Sequence, residues 1–245
     1  MGEQLGRIEK PPAESFKEGK KIYLVPLVYL SDDAPPEYKD KCDRYWQQVA
    51  DQLAKLEGKI GKVNWIYHES ISQSGEDAVE VVKRANPGSY EIVKGKCDNG
   101  AVFEAIEDKD LLEETMDWER CMLLGFMSQK VAGKVFEFYG EVSNKRYEFM
   151  AKRIGETLHD KEAGLLFIRE GHRLQFPGDI EVFSVFPPAL DEIHRWARDQ
   201  TREAWEKPAA GDKETATGPE EAEMEEKEKE KKKEGRKARR RKAKD

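Results

Sequence analysis

Apolar positions along this chain follow two rhythms, and each predicts a different kind of element. Short continuous or alternating apolar runs indicate strands, whereas apolar residues at steps of three and four indicate helices that bury one face. The predicted strands cover residues 21–30, 62–71, 165–168 and 180–186. The predicted helices cover residues 37–58, 76–85, 109–124, 127–159 and 189–205. This order predicts an α/β fold with a β-α-β-α N-terminal part, long central helices and a C-terminal strand-strand-helix unit.

The N-terminal elements carry two further signals. The first two strands flank a helix, which favours a parallel pair with a right-handed crossover. Pro26 lies inside the first apolar run, and because proline cannot donate to a ladder it predicts an edge strand or a bulge. Residues 89–106 have two β-prone runs around Asp98-Asn99-Gly100, which is typical of a hairpin turn.

The central helices are divided at Gly125, which predicts a sub-boundary near that residue. The longer helix carries one apolar stripe at helical spacing. Its members are Val131, Val135, Phe138, Val142 and Phe149. Lys145 interrupts the stripe, so the pattern disfavours a long homotypic coiled coil.

The C-terminal unit contains the most structured stretch, residues 165–185. Its first run, Leu-Leu-Phe-Ile at 165–168, is typical of a buried central strand, on which we expect Leu166 and Ile168. We expect Trp196 of the last helix to pack beneath the sheet. His172 stands between the two strands, where Gly171 and Pro177-Gly178 favour turns. We therefore predict that His172 is an exposed turn residue.

Charge divides the chain into a body and a tail. Residues 207–245 hold 14 of the 43 Lys and Arg and 11 of the 50 Asp and Glu, so the tail is +3 and the remainder is −10. We predict a flexible arm over residues 1–20, an α/β body over 21–206 and a disordered charged tail over 207–245, since the tail has almost nothing apolar to bury.

The end of the tail is the candidate binding segment for RNA or an acidic partner. An acidic body suits nucleic acid poorly, because phosphate contacts need Lys and Arg. The basic residues chosen for this segment are Arg236, Lys237, Arg239, Arg240, Arg241 and Lys242. Such a run can bind RNA, the ribosome or an acidic protein surface, and it equally fits a solubilising tail.

Three dispersed cysteines and the apolar profile indicate a cytoplasmic location. Cys42, Cys97 and Cys121 form no CxxC pair, and an odd number suits a reducing compartment. We expect each to be a small buried or half-buried residue. The N-terminal residues have no apolar signal region, and no window approaches the length of a transmembrane helix.

Candidate catalytic residues are sparse. His172, Asp179 and Glu181 could form a metal-dependent hydrolase or nuclease site, since Asp179 and Glu181 alternate at strand spacing. No Lys stands at a suitable offset, and no nucleophile stands beside His172. Charges that protect an edge strand explain the same acidic pair.

Metal and cofactor signals do not add a reaction. Glu156-x-x-His159 and Asp191-x-x-His194 resemble halves of a di-iron bundle site, but the strands contradict a bundle. Neither a GxxxxGK[ST] loop nor a GxGxxG loop occurs. We therefore expect no metal and no cofactor.

One partial resemblance concerns the segment from about residue 127 to 200. Its order of long helix, "LLFI", polar turn, "DIEVFSV", Pro-Pro and "ALDEIHRW" resembles the α/β domains of the Pelota and archaeal-eukaryotic release-factor family. The resemblance implies a translation-associated protein that binds the ribosome. The Gly-Gly-Gln tripeptide of release factors is absent, so peptide release is not implied.

These observations favour a non-catalytic binding or adaptor protein over an enzyme. RNA or the ribosome is its most specific partner, bound through the basic tail. A hydrolase built on His172, Asp179 and Glu181 is the alternative.

Overall fold

Five parallel strands form one sheet in the described part of the chain. The computed structural model describes residues 16–206, with side chains as far as residue 203. The strands are β1 (Lys20–Pro26), β2 (Val63–His68), β3 (Val102–Phe103), β4 (Ala163–Ile168) and β5 (Ile180–Ser184). The helices are α1 (Pro36–Ile60), α2 (Gly75–Ala85), α3 (Pro87–Asp98), α4 (Lys109–Leu123), α5 (Gln129–Thr157) and α6 (Pro188–Glu206). The predicted α/β class is confirmed.

Helices cover both faces of the sheet, whose strand order is β3-β2-β4-β1-β5. Successive residues of a strand point to opposite faces. Tyr23 and Val25 accordingly face a core shared with α1, α2, α3 and α6. Ile22 and Leu24 face a second core shared with α5. β4 is buried along its whole length, which explains its continuous apolar run.

β4 is the central strand, and its position changes the predicted topology of the N-terminal half. β1 and β2 are parallel members of one sheet, but β4 lies between them, with Leu166 opposite both Leu24 and Tyr67. Residues on both sides of Gly125 therefore contribute to the same sheet. The expected places of Leu166 and Ile168 on a central strand are confirmed.

The prediction that Pro26 marks an edge strand or a bulge is wrong. β1 is an inner strand, paired with β4 on one side and β5 on the other. Pro26 is its last residue, where the next ladder bond is made by the backbone N–H of Leu27 to Ile168. A proline at the end of a strand leaves the inner ladder intact.

The predicted hairpin over residues 89–106 is also wrong, because most of this segment is α3. The Asn86 side chain accepts a hydrogen bond from the backbone N–H of Ser89 at 3.0 Å and caps the helix, which Pro87 begins. Asp98-Asn99-Gly100 ends this helix, and Gly100 adopts a φ of 97° just beyond it. The turn signal was genuine, but it terminates a helix.

α5 buries a different stripe from the predicted one. Its buried residues are Val135, Val142, Arg146, Met150 and Ile154. Val131 and Phe138 are largely exposed, and Phe138 stacks on Trp118 of α4 at 5.3 Å. The buried stripe continues through Arg146 and Met150 instead of Phe149. The Arg146 charge can be buried because acidic side chains bind it inside the protein.

α6 enters the first core through Ala189, Leu190 and Ile193. Trp196, one turn later, packs on Tyr38 of α1 with ring centroids 4.6 Å apart, so the prediction that it lies beneath the sheet is wrong. A division of the chain into two units falls after Trp196. In the second, the described residues are the end of α6.

The two ends of the chain bear differently on the predicted arm and tail. Phe16 packs edge-on against Phe183 at 5.3 Å, and the backbone N–H of Lys161 donates to the Glu18 carbonyl at 3.1 Å. Residues 16–20 of the predicted arm are therefore attached to the body. Residues 1–15 and the predicted tail, 207–245, lie outside the described residues.

Candidate functional site

The carboxyl edge of the sheet is the natural place for a ligand in this topology. Connections from β1 and β2 lead to the face covered by α1 and α2, whereas Leu174, in the connection from β4, lies in the core on the α5 face. At the carboxyl end of β4, neighbouring loops therefore turn to opposite faces of the sheet. In open α/β sheets, ligands bind in the crevice that such a reversal creates.

A network of charged side chains, buried at Glu69, Glu107 and Arg146 and partly exposed at Glu119 and Arg169, occupies this edge. It consists of Glu69, Glu107, Glu119, Arg146 and Arg169. Glu69 directly follows β2, and Arg169 directly follows β4. The network therefore joins the ends of two central strands to the helices above them.

Arg146 reaches the network from the buried side of α5. Its Nε donates to Glu107 Oε2 at 2.8 Å, and its Nη2 donates to Glu107 Oε1 and to Glu69 Oε1. The Arg146 side chain is 2% exposed, and that of Glu69 is 1% exposed. Burial opposes the charged guanidinium, but the hydrogen bond and charge of Glu107, helped by Glu69, raise the pKa of Arg146 above its ordinary value.

Arg169 completes the pairing from the end of β4. Its backbone N–H and its Nε each donate to Glu69 at 2.6 Å, and its Nη1 donates to Glu119 at 2.8 Å. Burial again opposes the charge, yet Glu69 and Glu119 raise the pKa of Arg169. Both guanidinium groups are thus held charged, with their hydrogen bonds directed to carboxylates of the same chain.

Two tyrosines border this network. The pKa values of Tyr29 and Tyr147 are both raised, first by burial and then by the charge of Glu69. Both phenols are neutral near pH 7, as an ordinary tyrosine is. They can donate a hydrogen bond to a ligand, but they are poor proton acceptors.

Ser70 holds the turn after β2 in an unusual backbone conformation. Its φ is 68°, and its backbone N–H donates to Glu107 Oε1 at 2.8 Å. A non-glycine residue with positive φ is uncommon and is maintained by its surroundings. Glu107 therefore fixes this turn as well as Arg146.

His68 ends β2 in a buried position on the other face. Its Nδ1 lies 2.6 Å from the Glu69 carbonyl, and its ring lies 5.6 Å from that of Phe167. Burial lowers the pKa of His68 to about 4. The neutral ring donates from Nδ1, and Nε2 is buried without a hydrogen-bond partner among the described residues.

His172 is half-buried at the carboxyl edge, so the prediction of an exposed residue is wrong. Its Nδ1 is inaccessible and has no hydrogen-bond partner in the described chain. Burial lowers its pKa, while the charge of Glu69 opposes this effect. Glu69 is distant from His172 in sequence. Its effect on the pKa of His172 could therefore not be predicted from the sequence neighbours Glu170 and Arg173. The predicted turn is present, since Gly171 has a φ of 72°.

The structure does not bring together the three residues of the hydrolase alternative. His172 follows the carboxyl end of β4, whereas Asp179 and Glu181 lie at the amino end of β5, where Glu181 is level with Lys21. Because β4 and β5 are both parallel to β1, the chain must cross back to the amino edge between them. Asp179 instead pairs with Lys20 at 2.8 Å, which lowers the pKa of Asp179.

The helical acid–histidine pairs also separate. His194 Nε2 lies 2.6 Å from Glu170 rather than beside Asp191, and His159 lies beyond the end of α5. Among residues 16–206, no three His, Cys, Asp or Glu side chains are grouped so that they could hold a metal ion. The predicted binding residues Arg236, Lys237, Arg239, Arg240, Arg241 and Lys242 lie outside the described residues.

The cysteines agree with the prediction that each is a buried or half-buried residue. Cys42 is buried, Cys97 and Cys121 are half-buried, and all three are free thiols. None of the helices in residues 16–206 has both the length and the apolar character needed to cross a membrane.

Sequence reasoning missed the charged network, although two signals pointed to it. Glu69 and Arg169 each stand directly after a buried parallel strand, and such ends share one edge. Arg146 lies four residues from both Val142 and Met150, inside an apolar stripe. An arginine in that position predicts a buried acidic partner, because an unpaired buried charge is too costly.

The comparisons with known proteins add no relative to this description. Neither a protein-family model, nor a curated protein, nor a solved structure matches the chain.

Proposed function

We propose that this protein is a non-catalytic binding or adaptor protein with an RNA-containing partner. The observation that carries the proposal is the network at the carboxyl edge. The Arg146 and Arg169 side chains donate to Glu69, Glu107 and Glu119, and these bonds attach α4 and α5 to the sheet. At the carboxyl edge of the sheet, where catalytic groups of α/β enzymes lie, these charged side chains instead hold α4 and α5 in place.

The partner is assigned by charge. The chain as far as residue 206 carries a net charge of −10, whereas residues 236–245 hold seven Lys and Arg and one Asp. Phosphate contacts therefore belong to the terminal run. The resemblance of residues 127–200 to the Pelota and release-factor family favours the ribosome as the RNA-containing partner. The proposal places the protein in the cytoplasm, where its three thiols remain reduced.

RNA binding is tested by fluorescence anisotropy of a labelled single-stranded RNA. We expect the full chain to bind at low salt, with the logarithm of affinity falling by about 0.7 per phosphate contact for each logarithmic unit of salt. Replacing the six basic residues Arg236, Lys237, Arg239, Arg240, Arg241 and Lys242 by Gln should abolish this binding.

The matched control is a chain in which residues 223–245 keep their composition but have the seven acidic residues spread evenly among the twelve basic ones. It should bind much more weakly than the natural order, since the acidic residues then oppose each contact. Equal binding by the natural, Gln-substituted and redistributed chains would overturn the assignment to the tail. RNA cleavage that Asp179→Asn or His172→Ala removes would overturn the non-catalytic proposal.

A further inference from the structure

α5 has an outward face that the described residues leave largely exposed in its first half, whereas Tyr147 and Ala151 at its other end pack against the second core. Its opposite side enters the core through Val142, Arg146 and Met150, and α4 stacks Trp118 on Phe138 at one flank. Steps of three and four along the outward face define what we call the outer face of α5. Its residues are Gln129, Gly133, Phe136, Gly140, Asn144, Tyr147 and Ala151. Phe136, at the centre of this face, is 57% exposed.

A row of charged residues along this face is complementary to itself. Lys130, Lys134, Glu137 and Glu141 follow at i, i+4, i+7 and i+11, which places them on one line of the helix. If a second copy of α5 runs antiparallel, Lys130 faces Glu141 and Lys134 faces Glu137. A parallel copy would place like charges together. The pattern therefore favours the antiparallel arrangement.

Within one chain, only two of the four charged residues in this row form an ion pair among the described residues. Lys134 contacts Glu137 on the same helix at 2.6 Å, with both side chains more than half exposed. Within residues 16–206, Lys130 and Glu141 have no ion-pair partner. An exposed pair of this kind contributes little by itself, so exchanging it for intermolecular pairs costs little.

Gly133 and Gly140 have no explanation inside the single chain. A Cβ at either position would meet no atom within 4 Å. Each glycine inside a helix costs about 1 kcal/mol relative to alanine. Glycines on either side of an exposed Phe136 would allow a second helix backbone to come close to this face.

The ends of the same face match the apolar turn between α4 and α5. Leu123 and Leu124 are 87% and 85% exposed there, and Met127 is fully exposed. At the other end, a cleft of about 390 Å³ is lined by Asn144, Tyr147, Glu148, Ala151, Arg173 and Gln175. The charge pairs place the midpoint between Val135 and Phe136, so that in the same register Leu124 is opposite Tyr147 and Met127 is opposite Asn144, two residues that line the cleft. An antiparallel pair therefore brings the turn of each copy to the cleft of the other.

We infer that the outer face of α5 binds a second copy of this chain in an antiparallel, two-fold symmetric pair. Phe136 lies near the axis, Lys130 and Lys134 pair with Glu141 and Glu137 of the other copy, and the α4–α5 turn fills the opposite cleft. Such an interface uses the same patch twice, as closed dimers do. It does not depend on the RNA-binding proposal.

Charge reversal tests this pair on the full chain, by sedimentation velocity over a range of concentrations at low salt. The wild type should be a dimer, and both Lys130→Glu/Lys134→Glu and Glu137→Lys/Glu141→Lys should weaken the dimer by roughly tenfold or more, since like charges then meet. Mixing these two variants should restore a dimer that contains one of each. The chain that carries all four changes should dimerise like the wild type.

Lys55→Glu/Lys59→Glu is the matched control, because it reverses two exposed lysines at the same spacing on α1. It should leave dimerisation unchanged, and circular dichroism should show that every variant is folded. A monomeric wild type would overturn the inference. A dimer that resists both reversals, or reversed variants that fail to pair with one another, would overturn it as well.

Discussion

His68 shows how the fold changes the chemistry of a single side chain. Its ring is buried at the end of β2, where Nδ1–H donates to the Glu69 carbonyl. Burial lowers its pKa to about 4. An ordinary histidine has a pKa near 6.5. The unfolded chain therefore binds a proton at this residue more readily than the folded chain does.

Stability should depend on His68 in a defined pH range. Because the pKa is lower in the folded state, its contribution is complete above about pH 6.5 and is lost as pH falls towards 4, by about 3 kcal/mol. In His68→Phe, the fall in the free energy of unfolding over this range should become shallower. Urea unfolding at several pH values measures it, and His159→Gln, which removes an exposed imidazole, is the control. An unchanged slope would show that His68 is not responsible.

At the scale of elements, the charged network fastens α5 to the sheet. Arg146 comes from the core side of this helix, Glu69 from the end of β2, and Glu107 from the segment before α4. Hydrophobic contacts through Met150 and Ile154 hold the later turns of α5. In the middle of the helix, the charged Arg146 is buried beside the apolar Val142.

Removing Arg146 alone should lower the free energy of unfolding more than changing Arg146 and Glu107 together. Arg146→Met leaves Glu69 and Glu107 buried with one partner fewer, so we expect a loss of about 3–5 kcal/mol in the free energy of unfolding. Arg146→Met/Glu107→Gln should recover part of this loss. Chemical denaturation measures both variants. Arg120→Met, which removes an exposed ion pair with Asp117 on α4, should cost less than about 1 kcal/mol. Equal effects at Arg146 and Arg120 would contradict a buried network.

Most elements and the α/β class could be predicted from local patterns, whereas α3, β3 and the arrangement of the strands could not. Helix periodicity located α1 and α5 to within two residues at each end. Strand order depends on pairing between distant segments, so the apolar run of β4 indicated a central strand but not that it lies between β1 and β2. Asp98-Asn99-Gly100 failed as a hairpin signal because the same residues end helices. The site was missed because Glu69 and Arg146 meet only after folding.

At the scale of the whole molecule, charge is distributed unevenly along the sequence. Residues 1–206 are acidic and residues 207–245 are basic, and the latter contain almost no apolar residues. Composition therefore separates the part that can form a core from the part proposed to bind RNA.

Deleting residues 207–245 should leave the thermal midpoint of unfolding unchanged. The reason is compositional: a segment this poor in apolar residues cannot offset a backbone entropy of about 1–2 kcal/mol per residue by burial. Differential scanning calorimetry of the full and shortened chains measures the effect. A midpoint several degrees lower in the shortened chain would mean that the segment contributes to the stability of the body.

The place of β4 also determines when the sheet can be completed. Its ladders join Ala163 to Lys21 on one side and to Val63 on the other. Until this strand has left the ribosome, the nascent chain holds β1 and β2 without the strand that belongs between them. Unpaired strand edges are templates for association with other chains, and contacts between distant segments form slowly. The facing edges of β1 and β2 are therefore protected only after translation has passed residue 168.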